Sequence, residues 1–484
     1  MTPEPGQRHV VVIGGGISGL VAARTLAHSS TARTPEAREI DTAVTILESG
    51  PKFGGKLQTS SFAGVGLDTG PDAFLARLPQ ARQLCEALGV ETIAPSRSTA
   101  WIWSRDALRR FPDKTVLGVP SSIRSLTSAG VLPAQAIARA AMDYMLPDRV
   151  GRPNEDQSIG NLIRARFGEE VADRLVDPLI GGIYGSNIDE LSLEAAAPQI
   201  AELAAMGPSL LKSARTHVNR RSTEDRNAPV FRTPTHGMAS LVSALLADLR
   251  HHGVKMQPST YVEKLVRTQD GRWEVVTAEG RTHIADAVVL ATPTFATARI
   301  VEDEHPELAA NLRDISYSSV GIIRLAYRSA AVKRSLDGTG FVTPRVDGHL
   351  ITACSWASSK WAHLARPGQV VLRASVGRMG DDRFMEMSDH ELIDKVHSEL
   401  TAAMVITERP LMADVTRWEH SFPQYSVKHN TKVLQIERNV SQMENIAICG
   451  AAYHGLGIPA CIKTATEAVE ALLTRMANAY ALSE

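Results

Sequence analysis

The chain changes its apolar pattern several times. Val10 to Ile13 is a short unbroken apolar run, as expected of a parallel strand buried on both faces. Gly14, Gly15 and Gly16 follow, and helical spacing runs from Ile17 to Ala27. A second strand is predicted over Ala43–Glu48 (AVTILE). From about Ser121 to Arg221 the chain is rich in Ala, Leu and Arg at helical spacing. This predicts helices over Ala134–Met145 and onward from Ser158, which is placed as an N-cap. From Val230 to Pro293 helix and strand patterns mix again. A helix is predicted over Met238–His251, with strands near Val254, Tyr261–Arg267, Trp273–Thr277 and Ala287–Ala291. From Ile315 to His420 the spacing becomes a two-residue alternation at Gly321–Tyr327, His349–Trp356, Val370–Val376 and Val415–His420. That pattern predicts a sheet forming the floor of a cavity. Ile446–Gly450 reads as a last strand, followed by a helix over about Ala460–Ala479. Ser29–Asp41 and Arg220–Asn227 read as polar surface loops.

Composition narrows the classes. The 484 residues are 44% hydrophobic and 22% charged, enough for roughly three globular modules. With 52 basic and 53 acidic side chains there is no global basic field, so no nucleic-acid partner is expected. Cys85, Cys354, Cys449 and Cys461 lack metal or redox spacing, which favours a reducing, cytoplasmic setting and no metal site. The N-terminal residues do not read as a signal peptide, and no apolar stretch is long enough to span a bilayer. A monotopic, peripheral membrane contact stays open.

The glycine cluster carries the first chemistry. Gly14, Gly16 and Gly19 form G-x-G-x-x-G between strand and helix. Gly14 allows the turn, Gly16 admits a pyrophosphate to the backbone, and Gly19 lets helix pack on strand. The helix then points its N-terminal N–H groups at the phosphates. Glu48, ending the second strand, is placed for a ribose hydroxyl. It lies 29 positions past Gly19, where about 20 is usual; the polar loop accounts for the excess. Ser49 and the Gly54-Gly55-Lys56 turn follow, then Gly70-Pro71-Asp72-Ala73-Phe74. These extra backbone approaches fit a ligand longer than a mononucleotide.

VVVIGGGISGL, LES and FGGK resemble the FAD-binding start of the amine oxidase and protoporphyrinogen oxidase superfamily. The resemblance implies FAD held by Gly14, Gly15, Gly16, Ile17, Ser18, Gly19, Glu48, Ser49, Gly55, Lys56, Gly70, Pro71, Asp72 and Ala73. It adds Val262 beside the adenine, Trp418, and a returning segment, Gly450, Gly457, Ile458 and Pro459, that seats the flavin ring. The implied fold is α/β: a discontinuous Rossmann-like FAD domain (1–95, 228–300 and 421–484), a helical insertion (96–227) open to membrane-surface contact, and a substrate-binding mixed sheet domain (301–420).

DPLIGGIYGSN at Asp177–Asn187, GPDAFL, THGMASL and FPQY resemble the coproporphyrinogen and protoporphyrinogen oxidases, in blocks over nearly the whole chain. Gly182, Ile183, Tyr184 and Gly185 are then candidate substrate-wall residues. The alternative for this segment is a helix-ending glycine turn with Tyr184 in the core. Arg77 is the candidate cation for substrate carboxylates, alongside Arg97, Arg105, Arg109 and Arg110. The implied reaction is hydride loss from a bridging carbon to flavin N5, with oxygen as acceptor and hydrogen peroxide released. Three rounds convert coproporphyrinogen III to coproporphyrin III in haem biosynthesis, and the product passes to ferrochelatase. No catalytic side chain is assigned, because the flavin does the chemistry; His236, His420, His429 and His454 read as structural. Protoporphyrinogen IX as substrate, and a catalytically weak tetrapyrrole carrier, remain as alternatives, as do an amine or carotenoid-type oxidase and a flavin-free escort protein. Two positions depart from the family pattern. Ala460 stands where an acid usually follows Pro459, and Lys428 stands where glycine is common.

Overall fold

Hydrogen bonding sorts the strands into two main sheets. The computed structural model describes residues 7–29, 42–147, 155–220, 222 and 228–481; the loops read over 30–41, 221 and 223–227 lie outside these. The first sheet is wholly parallel, ordered Lys255–Gln257, Thr42–Leu47, Arg8–Ile13, Ala287–Leu290, Ile446–Ile448. Strands from the start, middle and end of the chain therefore share one sheet.

Its apolar runs are continuous because both faces are covered. Val10 and Val12 pack with the helices Ile17–Ser29, Met238–His251 and Ile458–Ala481. Their neighbours Val11 and Ile13 point the other way, as the period of a strand requires. They meet the antiparallel sheet Val262–Arg267, Trp273–Thr277, Thr282–Ala285 and the helices Thr294–Val301, Pro306–Arg313 and His429–Gln442.

The second sheet has seven strands, ordered Met412–Pro423, Tyr317–Arg328, Gln369–Val376, Ile351–Ser355, Gly340–Val342, Ala100–Ser104, Ala107–Arg110. All neighbours are antiparallel except Gly340–Val342 with Ala100–Ser104. The hairpin at 100–110, grouped with the helical segment by its position in the chain, thus hydrogen-bonds into this sheet. The alternation expected at Gly321–Tyr327 is not seen: every position there is buried, within a longer strand over Tyr317–Arg328. One face carries the helix Asp389–Met404, started by a capping box between Ser388 and Glu391. The other is covered by Phe62, Leu67 and Trp361 and by a cavity described below.

The helical segment has its own core, which packs on Ile102 and Val342 of the second sheet. Ser158 caps its helix as expected, accepting the Asn161 N–H at 3.1 Å. The helix expected over Ala134–Met145 stops at Ala141 and tightens into a 3-10 turn at Met142–Tyr144. That turn aims Asp143 inward, where its carboxylate accepts from Arg166 at 2.6 Å and from Ser209 at 2.6 Å. Ala172–Gly181 is a π-helix containing Pro178. Proline removes one donor from the helix ladder and crowds the preceding turn, and such widened turns cluster at functional sites. Among the described residues no helix is long and apolar enough to cross a membrane.

Candidate active site

The glycine turn is built around an open space. At Gly14, with φ +106°, an added Cβ would lie 2.8 Å from Ala291 O; at Gly19 it would lie 1.8 Å from Gly14 O. Only glycine fits where strand, turn and helix converge. At Gly16, by contrast, the same atom meets nothing within 4 Å. Among the described residues the N–H groups of Gly16, Ile17 and Ser18 have no acceptor. This is a cradle with donors and room for an anion.

Glu48 stands beside it. One carboxylate oxygen accepts the Gly15 N–H at 2.6 Å, and the other accepts the Gly50 N–H at 2.6 Å and the Ser49 hydroxyl at 3.2 Å. The acid is fixed in direction before any sugar arrives. The Gly54–Gly55 turn closes the cradle: Gly54 N–H donates to Gly15 O at 2.8 Å, and a Cβ on Gly55 would lie 3.2 Å from Gly16 Cα. Lys56 lies here with no carboxylate partner among the described residues; burial lowers its pKa. A desolvated cation next to unpaired N–H groups fits a diphosphate.

Gly70 packs so tightly on Lys56 O that a Cβ would lie 1.9 Å from it. Trp418 Nε1–H holds the adjoining Thr69 carbonyl at 2.7 Å, and Arg373 donates to the Gly70 carbonyl. Pro71 and Ala73 are half-buried. The Asp72 side chain faces a different set of groups. Burial would raise its pKa, but Lys360, at 3.0 Å, and Arg373 outweigh this and hold it well below the usual carboxylate range. Asp72 is therefore committed to an ion cluster, and only its backbone is left to face a cofactor. Val262 is buried among the residues under the sheet.

The returning segment supplies the other side. Gly450, at φ +141°, has nothing within 4 Å of an added Cβ. Tyr425 hydroxyl donates to Ala451 O at 2.8 Å and accepts the Gly455 N–H at 2.7 Å, bracketing the turn. His429 stacks on the Tyr425 ring at 3.9 Å, and burial lowers its pKa to about 4, so it stays neutral. Gly457 is exposed, whereas Ile458 and Pro459 are buried at the start of the long helix. Ala460 sits where a Cβ on Gly455 would come within 2.5 Å. Lys428 is in the left-handed region, φ +68°, which accounts for a glycine preference there.

A cavity on the seven-stranded sheet opens to solvent; its interior and mouth together hold about 450 Å³. Gly181, Gly182 and Gly185 line one side, while Val320, Ile322 and Phe422 line another. The paired glycines do not end the helix: both keep right-handed helical backbone, and Gly185, at φ +55°, terminates it. Ile183 is 48% exposed and, like Tyr184, does not line the cavity. Tyr184 packs on Tyr425 and donates to Ala196 O at 3.1 Å, and burial pushes its pKa up to about 12. Tyr184 thus packs against the core of the helical segment, while Gly182 and Gly185 line the cavity.

The expected rim cations are elsewhere. Arg77 and Arg97 are exposed, Arg105 donates to Gly130 O at 3.1 Å and Arg109 to Ser104 O; none of these, nor Arg110, lines the cavity. The cation that does is Arg378, which sequence reasoning missed. Its signal was an arginine directly after a buried strand and a glycine, in VGR.

The chain as a whole is matched in known proteins. Residues 17–473 match the family described as flavin containing amine oxidoreductase. The chain belongs to that family. This flavin oxidoreductase binds FAD, and the unpaired N–H groups, Glu48 and Lys56 are the parts of this chain that fit it. It is 34% identical, over 97% of its own length and 98% of the relative's, to the coproporphyrinogen III oxidase of Bacillus subtilis (strain 168). Identity to the Staphylococcus aureus protein of the same name is 29% over 97% and 100%. A crystal structure from Exiguobacterium sp. 255-15, named provisionally as a protoporphyrinogen oxidase, superposes with a TM-score of 0.84 at 29% identity, covering 96% of this chain and 99% of that one.

Proposed function

We propose that the protein is an FAD-dependent coproporphyrinogen III oxidase of haem biosynthesis. Coproporphyrinogen III and three molecules of oxygen give coproporphyrin III and three of hydrogen peroxide, a six-electron oxidation. The observation that carries this reading is the cavity between the Gly181–Gly185 turn and the sheet, on a chain similar over its whole length to relatives of that name. When bound, FAD supplies the acceptor for a hydride from a bridging carbon of the macrocycle.

The chain's own residues bind, orient and exclude water. Gly16, Ile17 and Ser18 offer N–H groups to the diphosphate and Lys56 its charge, while Glu48 takes the ribose. Trp418 and Arg373 set the Thr69–Gly70 carbonyls, and Tyr425 sets the returning turn. Gly182 and Gly185 let the macrocycle approach the backbone, and Val320, Ile322 and Phe422 keep water from it. The domain division given above belongs to the same proposal. So do a cytoplasmic location, a transient contact with ferrochelatase, and a peripheral membrane contact through the helical segment, where Met142 and Met145 are 50% and 86% exposed.

A second reading, protoporphyrinogen IX as the substrate, is favoured by the name given to the Exiguobacterium structure. Porphyrin fluorescence in air separates the two. Coproporphyrinogen III should be oxidised faster than protoporphyrinogen IX, and both faster than a control without protein. The opposite order would establish the second reading. No rate above the control, with flavin and porphyrins bound, would point to a carrier.

A further inference from the structure

Among the described residues four arginines are at most 9% exposed: Arg166, Arg174, Arg324 and Arg378. Three of them spend their donors on protein. Arg166 bonds to the Asp143 carboxylate and to the carbonyls of Asp143, Pro147 and Pro208. Arg174 bonds to Glu170, Ser104 and Asp347; Arg324 to Asp414, Ser60 and Leu67 O. Arg378 is different. Its guanidinium makes no hydrogen bond among the described residues, and its ion partner, Asp177 Oδ2, is 3.8 Å away, beyond hydrogen-bond reach. A buried guanidinium with unused donors is costly unless something completes it.

Arg378 lines the cavity. Asp177 is a poor neutraliser: Oδ2 is buried without a bond, and Oδ1 accepts only a long 3.4 Å contact from Ile188 N–H. Arg345 adds a further positive charge felt by both groups. Of the other nearby acids, Asp381 is paired with Arg383 at 2.7 and 2.8 Å and Asp173 with Arg164 at 2.7 Å. Arg378 thus keeps unused donors despite Asp177, and the exposed Arg345 adds positive charge nearby, a setting that suits one carboxylate. Thr343, on the same cavity wall, has a buried hydroxyl with no partner.

We infer that Arg378, aided by the Thr343 hydroxyl, is a carboxylate subsite inside the cavity that selects tetrapyrroles carrying a carboxylate on every ring. This rests on the function proposed above. Coproporphyrinogen III has a propionate on each of its four pyrroles, so any orientation delivers a carboxylate to the inner end. Protoporphyrinogen IX has propionates on two neighbouring pyrroles and vinyl groups on the others. With its propionates toward solvent it would leave Arg378 facing a vinyl group. A site built for a hydrogen-bonded group rejects analogues that lack it far more strongly than an apolar wall does.

The test compares the flavin-loaded wild type with Arg378→Gln, Arg378→Lys and Thr343→Val, each checked for bound flavin. Binding of coproporphyrin III and protoporphyrin IX is read by fluorescence, and kcat/KM for both porphyrinogens by porphyrin formation. Arg378→Gln should lower the coproporphyrin-to-protoporphyrin preference about 10- to 100-fold, chiefly through KM. Arg378→Lys should recover part of it, keeping the charge without the fork. Thr343→Val should shift the preference the same way by a smaller factor, and it carries the test if the glutamine variant does not fold. Equal losses for both ligands, or an unchanged preference in Arg378→Gln and Thr343→Val, would overturn the subsite while leaving the functional reading standing. A wild type that holds flavin but binds neither porphyrin would overturn the functional reading, and this inference with it.

Discussion

Replacing Gly16 with alanine separates folding from cofactor binding. An added methyl at Gly16 meets no protein atom within 4 Å, and the residue is not in the left-handed region. The flavin-free variant should therefore be as stable as the wild type, or more stable by ~0.4–1 kcal/mol, because alanine has fewer unfolded conformations to lose. The methyl instead occupies the space in front of the unpaired N–H groups of Gly16, Ile17 and Ser18. Each charge-assisted bond to a phosphate is worth ~1.5–3 kcal/mol. Displacing one or two of them amounts to ~3 kcal/mol, roughly 100-fold in Kd. Gly19→Ala is the contrast. Its methyl would lie 1.8 Å from Gly14 O, so helix and strand must move apart, with a loss of ~1–3 kcal/mol or more in the flavin-free protein. The assay is urea unfolding of deflavinated protein paired with a flavin-fluorescence titration. The reasoning is refuted if Gly16→Ala binds FAD with wild-type affinity, or destabilises the flavin-free protein as much as Gly19→Ala does.

Three further outcomes are expected. Lys428→Gly should raise stability by ~0.5–1 kcal/mol in urea unfolding, because the left-handed backbone at φ +68° strains a side chain; the exposed pair it gives up, Lys428–Glu155, contributes little, and Lys428→Ala should bring no such gain. Burial raises the pKa of Asp68 to about 6 against the lowering bonds from Thr59 and Met238. The folded state then binds this proton more tightly than the unfolded one. Its contribution is full below about pH 4 and is lost as pH rises through about 6, at most ~3 kcal/mol. Urea midpoints from pH 4 to 7 should fall less steeply in Asp68→Asn than in wild type; equal slopes would show that Asp68 is not the group. Arg166→Met should cost ~3–5 kcal/mol by leaving buried Asp143 without its cation. The double variant with Asp143→Asn should recover part of the loss in thermal unfolding.

Much of the site was legible because backbone geometry leaves a signature in residue type. Gly14, Gly19 and Gly70 are each wedged against a carbonyl, and no other residue could stand there, so the glycine spacing maps onto the turn. Helix Met238–His251 and strand Trp273–Thr277 match their apolar periods residue for residue. Where the reading slipped, a tertiary partner had intervened. Asp143 leaves a good helical pattern to meet Arg166 from a helix further along the chain. Gly321–Tyr327 loses its alternation because a helix and a cavity cover the two faces of its strand.

Charges are where the sequence is least informative, and the reason is physical. An arginine on a loop and an arginine in a cavity wall have the same local pattern, since pairing depends on groups far away in the chain. Arg77 follows a glycine turn that resembles a cofactor loop, yet it is exposed. Arg378 follows an unremarked turn, yet it sits opposite Asp177, whose backbone belongs to a π-helix contributed by a different part of the chain. What identifies Arg378 is the contrast with Arg166, Arg174 and Arg324. A burial pattern alone would group all four together; only the hydrogen-bond inventory shows that three are structural cations already satisfied and one has its donors unused beside open space. Arg378→Gln is therefore expected to behave unlike Arg166→Met: changing a saturated arginine should appear first in unfolding, and changing an unsaturated one first in ligand preference.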